Sequence, residues 1–599
     1  MKLSGARILM ECLLEQGVDT VFGYPGATVV HIYDELYRYS KKIRHIMTSH
    51  EQSAAHAADG YARATGKTGV CFATSGPGAT NLITGIAAAY MDSSPVVFIT
   101  GNVNSSLIGR DAFQEVDISS ISMPVTKNNY IVKDISTLAD VVREAFLIAS
   151  SGRPGPVLID IPKNITEEKA NFEPLHLEVS VSETGCVKTA SAIQKQLYAA
   201  LDDDDLNVLV KLIQESTRPM ILAGGGVIRS SASESLHSFS ERINAPVACT
   251  LMGVGSFPSD HPSYFGLIGM HGAKKANLAS EQCDLLIAIG VRFSDRVAGA
   301  PDKFAPHAKI IHIDIDRAEI NKNVIVNHHI TGDAKIVLDA LLEKLRNVTI
   351  SGLNVPPPVR LNSATTIEIN STITANTDSV TGSTTISEIT SANKTSTTMF
   401  SPQNIFRRLQ AQTDEQTILV TDVGQHQLWT AQYYHFQKPN TFITSGGFGA
   451  MGFGLGAAIG ASIGQGENKK QIIHITGDGS FRMNLTELST VTFYNLPIIS
   501  IIFNNGTLGM VRQWQRLFFN KRYAYTDLNR GPDFMKLADA YALNGYRVSD
   551  LNAFDKALTQ AFRSQKATVI ECLLQKDEPV TPMVAPGACL TEFIRDKLD

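Results

Sequence analysis

Gln471-Ile472-Ile473-His474-Ile475-Thr476-Gly477-Asp478-Gly479-Ser480 is the stretch on which the fold of this chain turns. Its apolar half reads as a strand buried on both faces, and its glycine-framed half as the turn into a helix. A carboxylate placed after such a strand lies at the carboxyl edge of the sheet, where open α/β sheets bind ligands. A second apolar run, residues 498–503, delivers Asn504 and Asn505 to the same edge. Asp478, the Asn505 amide oxygen and a backbone carbonyl near Thr507 make a hard-oxygen set suited to Mg²⁺ that also holds phosphate oxygens. Gly479 and Ser480 open the next helix, whose free N–H groups favour an anion. Taken singly, Asp-Gly and Asn-Asn-Gly are ordinary strand-end turns; both together at neighbouring strand ends are far more specific.

Outward from this point the same alternation recurs. Apolar runs at 417–421, 70–74, 95–100, 156–161, 218–223, 245–250, 284–290 and 309–314 alternate with helical patterns, a helix at 80–90 among them. The expected fold is α/β, three doubly wound parallel-sheet domains in one chain. Their bounds read as 1–175, 190–348 and 401–599. The polar stretch from Lys163 to about Asp205, with the acidic run Asp202–Asp205, reads as a first linker. Residues 352–400 read as a second, because 19 of the 36 residues from Ser363 to Thr398 are Ser or Thr and no apolar period survives there.

With 599 residues, 43% hydrophobic and 19% charged, the chain can bury several cores, which excludes wholesale disorder. A net charge of −5 without clustered Lys and Arg gives no reason to bind nucleic acid. Cys12, Cys71, Cys186, Cys249, Cys283, Cys572 and Cys589 are few, odd in number and free of C-x-x-C pairs, so buried reduced thiols are expected. With neither a signal core nor an 18-residue apolar span, the expectation is a cytoplasmic protein off the membrane, bacterial-like or organelle-encoded.

Three motifs are set aside, two of them on spacing. Gly60 to Gly66-Lys67-Thr68 has one residue too many for a P-loop, and His50 and His56 stand too far apart for a zincin. Gly447-x-Gly449-x-x-Gly452 matches a dinucleotide fingerprint, but a lone match is weak.

The Asp478 motif resembles the diphosphate motif of thiamine diphosphate (ThDP) enzymes, and the likeness is nearly chain-long. Residues 23–36 (GYPGATVVHIYDEL), 50–67 (HEQSAAHAADGYARATGK), 74–81 (TSGPGATN), 269–272 (GMHG), 291–297 (VRFSDRV), 423–429 (VGQHQLW), 446–454 (GGFGAMGFG) and 504–515 (NNGTLGMVRQWQ) resemble the acetolactate synthase large-subunit family. That resemblance implies a ThDP pyrimidine domain, a central FAD domain and a ThDP diphosphate domain. It also implies the cofactors ThDP, Mg²⁺ and FAD, and active sites shared within a homodimer or a dimer of dimers. The implied activity decarboxylates pyruvate and joins the two-carbon unit to pyruvate or 2-oxobutanoate. The products, 2-acetolactate or 2-aceto-2-hydroxybutanoate, lead to the branched-chain amino acids. A regulatory small subunit is implied by the family alone. Another ThDP enzyme on the same frame, such as a pyruvate oxidase or decarboxylase, and a non-catalytic paralogue are the alternatives.

Carried over position by position, Glu51 is the carboxyl that hydrogen-bonds the pyrimidine ring, and the Ala-rich helix it begins is expected to bury it. Gly424, Gln425, His426, Gly449, Gly479 and Ser480 should contact the diphosphate, Met451 should prop the cofactor, and Asp478, Asn505 and Thr507 should hold Mg²⁺. Gly26, Phe113, Gln114 and Lys163 match the substrate entrance, Arg296 a grip on the second substrate's carboxylate, and Trp514 the wall of its pocket. The FAD matches are Arg153, Gly224, Gly225, Gly226, Thr250, Leu251, Met270, His271, Gly290, Arg292, Arg296, Val297, Asp314 and Asp333. Ala27, Thr28, Asn104 and Ser294 depart from the family pattern. The first three map to the channel mouth where the family's sulfonylurea and imidazolinone inhibitors bind, so lowered sensitivity is expected.

Overall fold

The computed structural model describes residues 1–175, 201–350, 399–466, 470–528 and 530–594. The Ser/Thr-rich segment and Cys186 thus fall outside the described residues, the former but for its last two positions.

The strands are β1 (Lys2–Ser4), β2 (Thr20–Gly23), β3 (Arg44–Met47), β4 (Gly69–Ala73), β5 (Val96–Asn102), β6 (Asn128–Ile131), β7 (Pro156–Pro162) and β8 (Lys169–Asn171) in the first unit. The second has β9 (Pro219–Ala223), β10 (Val247–Cys249), β11 (Tyr264–Leu267), β12 (Leu285–Ile289), β13 (Lys309–Asp314) and β14 (His328–Thr331). The third has β15 (Ile418–Thr421), β16 (Phe442–Thr444), β17 (Ile472–Gly477), β18 (Ile499–Asn504), β19 (Asn544–Val548) and β20 (Thr568–Leu573). They form three six-stranded sheets, ordered β3-β2-β4-β5-β7-β6, β11-β10-β9-β12-β13-β14 and β16-β15-β17-β18-β20-β19. Pairings within each are parallel, as in β12 on β13 from Leu285↔Lys309 to Ile289↔Ile313. Every residue of β4, β9 and β12 is buried, because helices cover both faces of a parallel sheet.

Two expectations need correcting. The helix read at 80–90 is two helices, Pro77–Asn81 and Ile83–Met91. Proline suits the first turn, so the helix begins earlier. It then tightens where Leu82 N–H bonds Ala79 O three residues back instead of four. The first linker is also shorter than read. Lys163–Glu167 is helical, and β8 pairs antiparallel with β1. Asp202 accepts from Asp204 N as a helix cap, and Asp203, Asp204 and Asp205 fill the first turn of the helix Asp203–Glu215. Negative charge there complements the helix dipole, so the acidic run starts a helix.

Three helices carry or position the side chains that bear on function: α1 (Glu51–Thr65), α2 (Ser233–Ile243) and α3 (Phe453–Gly464). Helices α1 and α3 touch backbone to backbone. A Cβ on Gly60 would run into the Ala457 main chain, and one on Gly460 into the Ala57 carbonyl. Ala54, Ala57 and Ala58 thereby share one buried core with Phe453, Ala457 and Ala461, which joins the first unit to the third. Beside this seam Arg63 is buried, 2.7 Å from Asp59 and 3.1 Å from Asp92, and it also donates to Thr444 O. Asp92 in turn accepts from Gly446 N at 3.0 Å and Gly447 N at 2.6 Å.

Candidate functional site

The central sheet reverses its strand order once and the other two reverse twice, and the site residues gather at one reversal in each. Strands β3 and β4 flank β2, β10 and β12 flank β9, and β16 and β17 flank β15. Such a switch point opens a crevice beyond the strands' carboxyl ends.

In the third sheet, Gly424 follows β15, Asp478 directly follows β17 as the first residue of a short helix, and Asn505 follows β18. Asp478 is buried, and its Oδ2 has no hydrogen-bond partner. Burial pushes its carboxyl up to about 7, against the pull of Arg482. His426 is likewise buried with Nε2 unpartnered, and burial pushes its imidazole down to about 4, so it is neutral. A Cβ on Gly424 would lie 2.8 Å from the His426 ring, and one on Gly477 2.9 Å from its Nδ1. Ser480 Oγ donates to Val423 O at 3.0 Å, which ties the two glycine turns together. Asn505 Oδ1 accepts from Thr507 N at 3.2 Å, and its Nδ2 donates to Gln425 Oε1 at 3.1 Å. Gln425 therefore braces Asn505 and also donates to Glu578 O. Met451 Cε reaches to 3.8 Å from where a Gly479 Cβ would stand, and Gly449 is open at φ +71°.

In the first sheet, Glu51 Oε2 accepts from Asn81 Nδ2 at 3.0 Å. A Cβ on Gly78 would sit 2.7 Å from Thr74 Cγ2 and 3.2 Å from Glu51 Oε1. Gly26 packs on Thr74, and Gln114, at φ +59°, closes over Gly76. Thr28 is buried, with Oγ1 2.9 Å from Thr74 Oγ1 and accepting from Ser75 N at 3.0 Å. Gly26, Gln114 and Glu51 are thus brought together. Lys163 stands at the end of β7, and among the described residues its side chain shares no hydrogen bond or ion pair with that cluster; Phe113 is exposed. Glu51 is half-buried rather than enclosed, contrary to expectation. The reason is its face. Ser53, Ala57 and Gly60 point at α3, and Glu51, two residues before Ser53, points roughly the opposite way at about 100° per residue.

The central switch point opens into a cavity of about 1470 Å³, above the ~300–1,000 Å³ usual for small-molecule sites. Its walls include Arg153, Gly225, Gly226, Thr250, Leu251, Met270, His271, Gly290, Arg292, Arg296, Val297, Asp314 and Asp333. Gly224, at the end of β9, would drive a Cβ into the Gly290 backbone, and Gly290 itself is left-handed at φ +60°. His271 Nδ1 is buried and unpartnered, and burial lowers its imidazole to about 4. Arg153 is held by Asp316 at 3.2 Å and Glu319 at 2.8 Å. Asp333 caps the helix Ala334–Leu345, and Asp314 accepts from Asp316 N. The Arg296 guanidinium lies 5.8 Å from the Trp514 ring centre and 3.2 Å from Met270 Sδ. Gly424, Gly449 and Trp514 line the same cavity, so it is continuous with the crevice of the third sheet.

Several residues of the site were not singled out from sequence. Asn81 and Thr74 lie inside the quoted segment 74–81 but carried no role. Asp92 and Arg63 form a buried lock whose partners are remote in the chain. Asp422 is buried and accepts from His474 Nε2 at 3.0 Å, Thr476 Oγ1 at 2.8 Å and Gly454 N at 2.8 Å, which fixes the start of α3 behind Met451. The signal for it was a polar residue ending an apolar strand two positions before Gly424.

Comparison with known proteins agrees with this geometry. Residues 3–121 match the N-terminal thiamine pyrophosphate-binding domain of thiamine pyrophosphate enzymes, 206–341 the central domain and 422–572 the C-terminal binding domain. The "Probable acetolactate synthase large subunit" of Methanocaldococcus jannaschii is 43% identical over 99% of this chain and 95% of its own length. "Acetolactate synthase" of Arthrospira platensis is 42% identical over 98% and 96%. "Acetolactate synthase isozyme 2 large subunit" of Escherichia coli is 40% identical over 99% of both.

Proposed function

This chain belongs to the acetolactate synthase large-subunit family of thiamine diphosphate enzymes, and from that premise we infer how its three crevices divide the work. It is a thiamine diphosphate-dependent carboligase. The donor substrate is pyruvate, the acceptor pyruvate or 2-oxobutanoate, and the product 2-acetolactate or 2-aceto-2-hydroxybutanoate.

The single observation that carries the reading is the pair of buried, unpartnered atoms, Asp478 Oδ2 and His426 Nε2, at one switch point beside Asn505. Asp478, Asn505 and the Thr507 carbonyl would hold Mg²⁺; Gly424, His426, Gly449 and Gly479 would hold the diphosphate. A cation next to Asp478 would keep it ionised despite its burial. Bound there, the coenzyme supplies the electron sink that decarboxylation of a 2-oxo acid requires. Glu51 holds and moves a proton at the pyrimidine ring nitrogen. Gly26 offers a backbone N–H to the substrate oxygen, and Arg296 pairs with the carboxylate of the acceptor. The flat face of Trp514 distinguishes acceptors that differ by one methylene, worth about 1–3 kcal/mol.

FAD is assigned to the central cavity as a structural cofactor. The bare backbones of Gly224, Gly226 and Gly290, the unpartnered His271 Nδ1 and the volume support this. The active unit is a homodimer in which Glu51 serves the diphosphate half of the partner. Its orientation away from α3 supports that, as do exposed Phe113, Met123, Phe448 and Met483. The naming of relatives as large subunits supports a separate smaller subunit. Among the described residues no helix is long and apolar enough to cross a membrane.

The test is Glu51→Gln, assayed for acetolactate with coenzyme binding confirmed separately. A rate loss of about 10²–10⁴-fold with the coenzyme still bound is expected, the usual worth of a positioned proton-transfer group. Full activity would remove Glu51 from the chemistry.

A further inference from the structure

On the central unit, away from the large cavity, three ligating side chains converge. His237 and Glu241 stand one turn apart on α2, with His237 Nδ1 3.7 Å from Glu241 Oε2. His261 approaches from the loop before β11, its ring 5.0 Å from that of His237 and nearly perpendicular to it. One ligand atom from each lies within 4.8 Å of the others.

The third ligand is the fixed one. The His261 ring packs edge-on against the buried Phe257 at 5.1 Å, and its Nδ1 accepts from Ser263 N. The loop is pinned to the third unit, because Ser259 N and Oγ both donate to Phe436 O, at 3.0 and 2.9 Å. Asp260, the preceding residue, adds negative charge, as Glu241 does.

We propose that His237, Glu241 and His261 bind one Zn²⁺ ion on the outer face of the central domain. Two imidazoles and a carboxylate suit that borderline cation rather than Mg²⁺, with water in the fourth position. Tetrahedral bonds of about 2.0–2.1 Å set ligand atoms about 3.3 Å apart, so the cluster must contract by at most roughly 1.5 Å, and the His237–Glu241 pair, at 3.7 Å, by far less. Rotation of the partly exposed His237 and the exposed Glu241 side chains supplies this. Coordination through Nδ1 of His261 would displace the Ser263 N–H, a cost that points to micromolar rather than nanomolar affinity. Bound metal would staple α2 to the loop that rests on the third unit, far from the carboligation chemistry.

The test is calorimetric titration of Zn²⁺ into the full chain with its coenzymes and Mg²⁺ present, together with visible absorption after Co²⁺ substitution. One site per chain of micromolar Kd is expected, weakened at least tenfold in His261→Asn and in His237→Asn. Co²⁺ should give visible d–d absorption bands in the wild type alone. Both variants should keep wild-type acetolactate formation, which shows that they fold. Absence of saturable binding below 1 mM, or binding unchanged in His261→Asn, would overturn the assignment.

Discussion

Asp478 and Thr28 show how much rests on single polar atoms in this chain. The Asp478 carboxyl, raised to about 7 by burial, must lose its proton to hold a cation. Mg²⁺ affinity should therefore be full above about pH 7 and fall about tenfold per unit as pH drops below it. The sign for stability of the metal-free chain is the reverse. The unfolded carboxyl ionises near 4, so the folded state binds the extra proton between about pH 4 and 7, and Asp478 makes the fold less stable as pH rises through that window. Denaturant titrations at pH 5 and pH 8, in wild type and in Asp478→Asn, would show this, since the asparagine chain should lose that component. Thr28 makes a different claim. Its hydroxyl joins the Gly26 turn to Thr74 and Ser75, with Glu51 just beyond. Thr28→Val keeps the shape and strands those partners, at about 1–3 kcal/mol for a buried unsatisfied group. Stability should fall by that amount and the KM for pyruvate should rise, with Thr28→Ser restoring both.

At the scale of the element, the contact between α1 and α3 is the one that backbone geometry controls. Gly60→Ala or Gly460→Ala would place a methyl group into the main chain of the facing helix. Overpacking of this kind costs about 1–3 kcal/mol, and more where neither backbone can retreat. Thermal unfolding should show the first and third units losing stability together, because they share that core; two separate transitions with only one shifted would contradict it. This contact was not legible in the sequence. Runs such as Ala54–Ala58 and the Gly/Ala pattern of α3 announce close packing but do not name a partner. The strands were legible, because burial on both faces leaves unbroken apolar runs: residues 309–314 were read with the observed bounds. Helix ends were less so. Where Asp202 caps a helix and Leu82 interrupts one, the outcome depends on local hydrogen bonds that the polar composition of the stretch leaves open.

For the whole molecule, the central question is which copy of Glu51 serves which copy of Asp478. The two residues were visible in the sequence as parts of separate motifs, but no spacing encodes whether they meet within one chain or between two copies. The chain holds them in different crevices, one beyond β3 and the other at the end of β17, and α1 turns Glu51 away from its own third unit. If the active site forms between two copies, each dimer has two sites, each built from one Glu51 and one Asp478 of opposite chains. Glu51→Gln and Asp478→Asn chains are then inactive alone. In a mixed dimer, one site receives both substitutions and the other receives neither. Random pairing makes half of the dimers mixed and half of their sites intact, so co-refolding equal amounts should recover about one quarter of wild-type activity. A site built within one chain would recover none, since every chain in the mixture lacks one of the two groups. Acetolactate formation after co-refolding, compared with each variant refolded alone, separates these outcomes.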